Sequence, residues 1–591
     1  MPGWAPRRPR PFFDVPGRRQ IVIVLTIVGA LLLAKNLMLE SPLMAGDEYG
    51  YFAPSQTFPN LSERFAGDPY IPRYYSPVLS ACGALLAVIS NHPELLLKIF
   101  NTVAFVSIVL VFLALIGRFD RAMVTPIAAA VFVLLPSSAY AAYFMPEIMY
   151  TLLFALLTWA VVLVLPSRVT TGAIVSGVII GVMLLVKPHA LALCLAMLLT
   201  FGALLVAPSS AWPDRRRVIV TTVPLFLVSA YLTMISINGV ISRHLDLSPL
   251  AFVGTVYHGY FASGVSASSW IGRGGELLSI LGGHLVVFGA LIAPAVALGF
   301  VELRGLYMRR ASADGADERS RFLLIVFTAC VTALTLGMTV NFTGQAAHME
   351  DAYYVRLLGR YYSFVIPLFL VIFFASYRTS PEGHERWLRI GAAIGCFIAI
   401  VLFHLEGQRT IYPFDYPEAF VFSSWHGNTG AGFAATVVTQ LGIALAVAGY
   451  ALMLWRGRSA RLVYPALLIA LFAISNVRVT AWQFTNSLDN SGLRADARSM
   501  SRIIAPSERN DGLVVGPEWN GALAYFLFNF GSSAHVLVRP EGSPITAADL
   551  PAGTRWVVLI GHYTAAFPAG ASHYTPRVTL TQIAAASPRT P

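Results

Sequence analysis

The chain has 591 residues, 56% of them hydrophobic and 12% charged, and a formal net charge of +11. Soluble domains carry about 25% charged residues, and here the apolar residues are bunched into runs of about 17–23, the length that spans a bilayer as a helix. That excludes an ordinary soluble protein. The positive charge does not point to nucleic acid, because the arginines sit in short loops between apolar runs, as cytoplasmic loops do.

In chain order, residues 1–20 form a basic start, read as cytoplasmic. The first apolar run is long and no small-residue cleavage site follows it, so it reads as an uncleaved first helix. Spans are predicted at about 21–38, 95–116, 123–136, 147–166, 171–186, 190–207, 218–238, 281–301, 322–340, 361–377, 389–404, 434–455 and 462–480. Arginine clusters such as Arg118/Arg121, Arg215–Arg217, Arg304/Arg309/Arg310 and Arg456/Arg458/Arg461 mark one side of the membrane. The opposite links, about 39–94, 239–280, 341–360 and 405–433, are longer and richer in aromatic and polar residues, so the working surface faces outward. Residues 77–90 are moderately apolar but short for a span, and suit the interface.

Thirteen spans that start inside finish outside, which puts residues 481–591 outside the cytoplasm. There, short β-branched runs at 512–516, 535–538 and 556–560 alternate with helix-like stretches, predicting a small α/β domain with a largely parallel sheet and a flexible end. The fold class is thus a polytopic α-helical membrane protein with a membrane-spanning region over 21–480 and a small C-terminal α/β domain. Cys82, Cys194, Cys330 and Cys396 all lie in or beside apolar runs and carry no metal or disulfide signature.

Charges near a bilayer are costly without a partner or a task. Asp47 and Glu48 follow the first span in Met44-Ala-Gly-Asp-Glu-Tyr-Gly-Tyr51. Either carboxylate could take a proton from a hydroxyl or hold a divalent cation, the one cofactor these acids suggest. On irregular backbone the two would point in different directions, so one of them faces the reacting centre. Glu147 follows Pro146 at the start of the fourth span, where an acid also suits the helix N-terminus. Lys187 is one of only three lysines and stands with His189 in Leu-Val-Lys-Pro-His between two apolar runs. Its ammonium suits a phosphate. Arg356 and Arg360 lie four apart in Tyr-Tyr-Val-Arg-Leu-Leu-Gly-Arg-Tyr-Tyr362, which predicts a shared helical face at the outer side where both could bind a lipid-linked phosphate, with His189 beside Lys187 as a further phosphate-binding candidate. Weaker candidates are Asp68, Arg73, His258, His348, His426 and Glu406, with Tyr74, Tyr75 and Tyr361 as rings on which a sugar could stack.

The acidic pair after the first span, the Pro-Glu of the second outer loop, the Leu-x-Lys-Pro and the Gly-Arg-Tyr together resemble the GT-C class of integral membrane glycosyltransferases. The nearest likeness is to bacterial protein mannosyltransferases and the lipid A aminoarabinose transferase. The resemblance implies about a dozen spans and a sugar donor carried on a polyprenyl phosphate. Transfer would be to an envelope glycan, lipid or protein outside the cytoplasm, with inversion. It implies Asp47 as base with Glu48 as its alternate, Glu147 as second acid, and Lys187 and Arg360 on the donor phosphate. The first outer loop departs from the class, offering only Asp68 and the Arg73-Tyr-Tyr segment. Rival readings are a ligase or polymerase using a pyrophosphate-linked oligosaccharide, and a lipid or sugar transporter. The transporter would call for inverted repeats and midplane charges, and the sequence shows neither.

Overall fold

The computed structural model describes residues 18–57, 76–90, 92–119, 124–207, 215–241, 274–308, 315–347, 355–376, 381–405, 409–425, 432–456, 460–505, 508–509, 511–517, 519–531 and 534–583. The helices of the first half are α1 (Arg18–Met38), α2 (Ala45–Thr57), α3 (Pro77–Ile89), α4 (Pro93–Phe119), α5 (Val124–Val133), α6 (Glu147–Trp159), α7 (Val169–Val186), α8 (Ala190–Ala203) and α9 (Arg215–Ile241). Those of the second half are α10 (Gly274–Met308), α11 (Gly315–Ala347), α12 (Ile366–Ala375), α13 (Pro381–Leu405), α14 (Gly432–Arg456), α15 (Ala460–Asp489), α16 (Ser491–Ser501) and α17 (Ala524–Phe530).

Each of the thirteen predicted spans falls on a helix, but only ten helices among the described residues are long and apolar enough to cross a bilayer, α6 doing so together with the π-helical turn Ala160–Val164 that continues it. The other three, α5, α8 and α12, have 10, 14 and 10 residues. In α12 the shortening has a visible cause, since the polar Gly359–Val365 stretch ahead of it forms two single 3₁₀ turns. Inside a bilayer helices are held by close packing rather than by water exclusion. Gly177 and Gly181 of α7 show this: a Cβ on either would strike the backbone carbonyl of Phe226 or Ala230 on α9. The interface helix expected at 77–90 exists as α3, and Gly83 lets it lie directly on Ser55 of α2 and Phe144.

Buried polar side chains brace the end of the bundle where α1 finishes and α4 begins. Lys98 of α4 donates to the Leu39 carbonyl (2.5 Å), Asn101 to that of Tyr143 (3.2 Å), and Gln483 of α15 to that of Ala139 (3.1 Å). At the opposite end, Arg321 of α11 meets Glu302 of α10 (3.3 Å) and Asp317 (3.1 Å).

Beyond α16 the chain forms strands β1 (Gly512–Gly516), β2 (His535–Val538), β3 (Pro544–Thr546), β4 (Trp556–Ile560), β5 (Thr564–Ala566), β6 (Ala569–Tyr574) and β7 (Val578–Ile583). The main sheet runs β2-β1-β4-β7-β6, and β3 pairs with β5 alone. The expected parallel sheet is therefore mixed: β1 is parallel to β2 and β4, whereas β7 is antiparallel to β4 and β6. β6 returns to β7 by a short turn, which permits only antiparallel pairing of those two strands. β1 and β4 are buried on both faces, as their unbroken apolar sequences require. Trp556, Val558 and Ile560 join the core that continues into the helical bundle, while Leu513, Val515, Val557 and Leu559 form a second cluster.

Candidate functional site

Asp47 and Glu48 occupy the first turn of α2, not irregular backbone. Carboxylates are favoured there by the helix dipole, and one step along a helix turns about 100°, so the two diverge. Glu48 is fully buried. Its Oε1 accepts from the N–H groups of Leu43 (2.5 Å) and Met44 (2.8 Å), and its Oε2 from that of Phe144 (2.8 Å). Burial pushes its pKa up, and these three donors and the Lys98 ammonium pull it back. Asp47 is partly open, and its Oδ2 accepts from Nη1 of Arg360 at 2.5 Å.

Glu147 is the first residue of α6, behind Pro146 as predicted. Its Oε1 meets the Lys187 ammonium at 2.6 Å, and both side chains are more than nine-tenths buried. Its Oε2 is buried without a hydrogen-bond partner. Lys187 ends α7 in extended backbone, because Pro188 bars continuation. Burial pushes the Lys187 pKa down and the Glu147 carboxylate opposes that. His189 stacks on the Tyr361 ring, centroids 4.6 Å apart and nearly parallel, and burial holds it neutral.

Arg356 and Arg360 do not share a helix. Residue 356 forms an isolated β-bridge with Thr410, and Gly359–Tyr361 is a single 3₁₀ turn. The two arginines meet instead through Asp415, which is fully buried. Arg356 grips that carboxylate with Nε and with Nη2 (3.1 Å). Arg360 reaches it with Nε at 3.6 Å and donates its backbone N–H to the Asp415 carbonyl. Gly359 is required here, because any Cβ would run into the Tyr416 ring. Arg360 is thus held from behind by Asp415 and faces Asp47 in front. Arg356 is consumed by Asp415 and lies outside the pocket described next.

Glu147, Lys187, His189, Arg360 and Tyr361 line one pocket with Ser137, Tyr140 and Ser363, a partly open space of about 390 Å³ not filled by atoms. The Tyr361 ring lies against both cations, with Nζ of Lys187 5.5 Å and Cζ of Arg360 5.2 Å from its centroid. The Tyr140 hydroxyl and Nδ1 of His189 are buried without hydrogen-bond partners. The wall therefore offers two cations, one spare carboxylate oxygen, a phenol and an imidazole. That set suits an anionic group beside a polyhydroxylated one. Among the described residues, no group of three or more His, Cys, Asp or Glu could hold a metal. Asp47 faces a guanidinium and Glu48 faces backbone N–H groups. Asp68, Arg73, Tyr74, Tyr75, His258, His348, Glu406 and His426 lie outside the described residues.

No family model and no curated protein matches this chain. Among solved structures, ArnT from Cupriavidus metallidurans bound to undecaprenyl phosphate matches 95% of this chain over 97% of its own, with a TM-score of 0.53 and 13% identity. The chain has the ArnT fold. The apo oligosaccharyltransferase of Archaeoglobus fulgidus gives a TM-score of 0.45 at 11% identity, over 93% of this chain and 70% of its own.

Within the ArnT-like fold, the sequence reading had missed Asp415, Glu418, Tyr140, Ser137 and Ser363. Glu418 is fully buried beside the hydroxyls of Ser137 and Ser363, two residues of the pocket wall, and burial pushes its pKa up to about 7. A signal for it existed: Tyr416-Pro-Glu418 repeats the aromatic-rich Pro-Glu pattern of Met145-Pro-Glu147.

Proposed function

We propose that the protein is a membrane glycosyltransferase that takes a sugar from a polyprenyl-phosphate donor and passes it to a hydroxyl of an envelope glycan, lipid or protein on the extracytoplasmic side. The observation that carries this reading is a double pairing of acid with cation: Glu147 with Lys187 in the pocket wall, and Arg360 of that wall with Asp47, which stands behind the lining and reaches the pocket through Arg360. Two further observations support it. The motifs resemble the GT-C class, and the fold matches ArnT, whose solved form holds undecaprenyl phosphate. Charge supports the proposed sidedness: Arg118 and Arg321 gather at the bundle end opposite Asp47, which the positive-inside rule favours as the cytoplasmic end.

In this mechanism the donor phosphate lies against Lys187 and Arg360 and takes over part of their pairing to Glu147 and Asp47. The Asp47 carboxylate, loosened from Arg360, accepts the proton of the incoming hydroxyl. The acceptor oxygen bonds to the anomeric carbon from one side as the bond from that carbon to the phosphate oxygen breaks on the other, inverting the centre. The electron pair leaves with the phosphate, and the two cations stabilise the added charge. His189, neutral and stacked on Tyr361, keeps that ring against the cations. Glu48, with its three backbone donors, positions the turn that carries Asp47.

The test uses purified protein in nanodiscs and a radiolabelled polyprenyl-phosphate sugar pool. Wild type transfers label to an acceptor and Asp47→Asn does not. Equal transfer by both proteins would overturn the assignment. Use of a pyrophosphate-linked oligosaccharide instead of the monophosphate would move the protein to the ligase reading.

A further inference from the structure

The segment between α1 and α2 is held from the far end of the chain. Its backbone has no secondary structure of its own, yet most backbone polar groups from residue 40 to residue 44 are occupied by side chains. The Glu40 N–H donates to Oγ of Ser487 on α15 (3.0 Å). The Ser41 carbonyl accepts from Asn529 on α17 (3.3 Å), and the Pro42 carbonyl from the fully buried Arg494 on α16 (2.8 Å). The Leu43 carbonyl accepts from Asn486 on α15 (2.5 Å) and from the Tyr525 hydroxyl on α17 (3.3 Å). Glu48 takes the N–H groups of Leu43 and Met44. One turn beyond Asp47, Phe528 of α17 stacks on Phe52 of α2, centroids 4.3 Å apart.

We infer that the C-terminal domain is a positioning device for the reaction: Tyr525, Phe528 and Asn529, with Asn486 and Arg494, fix the height and angle of the helix turn that carries Asp47. The inference rests on the reading of Asp47 as the base. The physical reason is one of precision. A short helix after an irregular segment has few contacts of its own to fix a carboxylate, and a misplacement of about 1 Å costs on the order of a hundredfold in rate. Arg360, the partner of Asp47, is anchored separately through Asp415, so the base and the phosphate-binding wall are held by different parts of the chain. Loosening the clamp should therefore harm turnover and spare donor binding.

The experiment compares wild type, Tyr525→Phe and Tyr525→Phe/Asn529→Leu in the full-length protein. Tyr525→Phe removes only a hydroxyl and guards against misfolding. Three readouts are taken: amide hydrogen exchange of a peptide covering residues 39–53, binding of undecaprenyl phosphate, and the initial rate of label transfer. The expected result is faster exchange, undecaprenyl phosphate affinity within twofold of wild type, and transfer about ten- to hundredfold slower in the double variant. Unchanged exchange overturns the clamp, and so does faster exchange with an unchanged rate. Parallel loss of lipid binding would show a general structural role and overturns it too. Asp47→Asn, run alongside, separates the two claims: if it stays active the base assignment falls whatever the exchange shows, and if it is inactive while the clamp variants run at the wild-type rate, only the clamp falls.

Discussion

Two neighbouring acids with opposite duties should fail in opposite ways. Glu48→Gln keeps one oxygen for Leu43 and Met44 but turns an amide NH₂ toward the Phe144 N–H, leaving two donors face to face. One charge-assisted bond, each worth about 1.5–3 kcal/mol, is lost and two are weakened; removing a buried charge offsets part of that. The net cost is about 2–4 kcal/mol of stability. Asp47→Asn breaks a partly exposed pair whose cation keeps Asp415, so it should cost under about 1 kcal/mol. In the proposed mechanism it removes the proton acceptor, however, and should slow transfer by about 10²–10⁴-fold. The assays are a denaturant titration of the folded fraction in micelles and label transfer at matched folded concentration. A Glu48→Gln protein as stable as wild type but inactive, with Asp47→Asn fully active, would reverse the roles and refute the argument.

Three further outcomes follow from the same geometry. Lys187→Ala leaves the Glu147 carboxylate buried and alone, so it should destabilise by about 3–5 kcal/mol, whereas Lys187→Met/Glu147→Gln should fold and bind undecaprenyl phosphate at least about tenfold more weakly; equilibrium binding and the same titration read both. Gly359→Ala drives a methyl group into the Tyr416 ring and should cost about 1–3 kcal/mol while weakening lipid-phosphate affinity through Arg360; normal affinity would disconnect this turn from the site. The Glu418 pKa is raised in the fold from 4.5 to about 7, so the folded state binds the extra proton between those values. Its stabilising contribution, on the order of 3 kcal/mol, is present below about pH 4.5 and is lost as pH rises through about 7. Glu418→Gln should flatten that part of the stability profile, and an unchanged slope would place the pKa elsewhere.

What the sequence showed and what it hid have a common physical cause. Asp47, Glu147, Lys187 and Arg360 were legible because each is a charge set against an apolar background, and such charges need a partner. Asp415 and Glu418 carry the same signal, but they lie in the Tyr412-Pro-Phe-Asp-Tyr-Pro-Glu418 stretch, where polar and aromatic residues mix and a charge no longer stands out. The helical face expected for Arg356 and Arg360 failed for a related reason. Spacing of four predicts a shared face only if the backbone is helical, and here Gly359 lets the chain fold against Tyr416 while a distant aspartate bridges both cations. Partners far apart in sequence leave no periodicity to read. The same holds for the clamp on residues 40–44, whose members lie more than 440 positions away. Composition and spacing singled out charges in the loops, and long-range pairing decides which of them line the pocket and which stand behind it. Of the acids near this end of the bundle, two have their charge largely spent on structure: Asp415 on anchoring Arg360, and Glu48 on shaping the turn. Asp47, Glu147 and Lys187 remain, with Arg360 itself, as the groups whose pairing an entering phosphate can exchange.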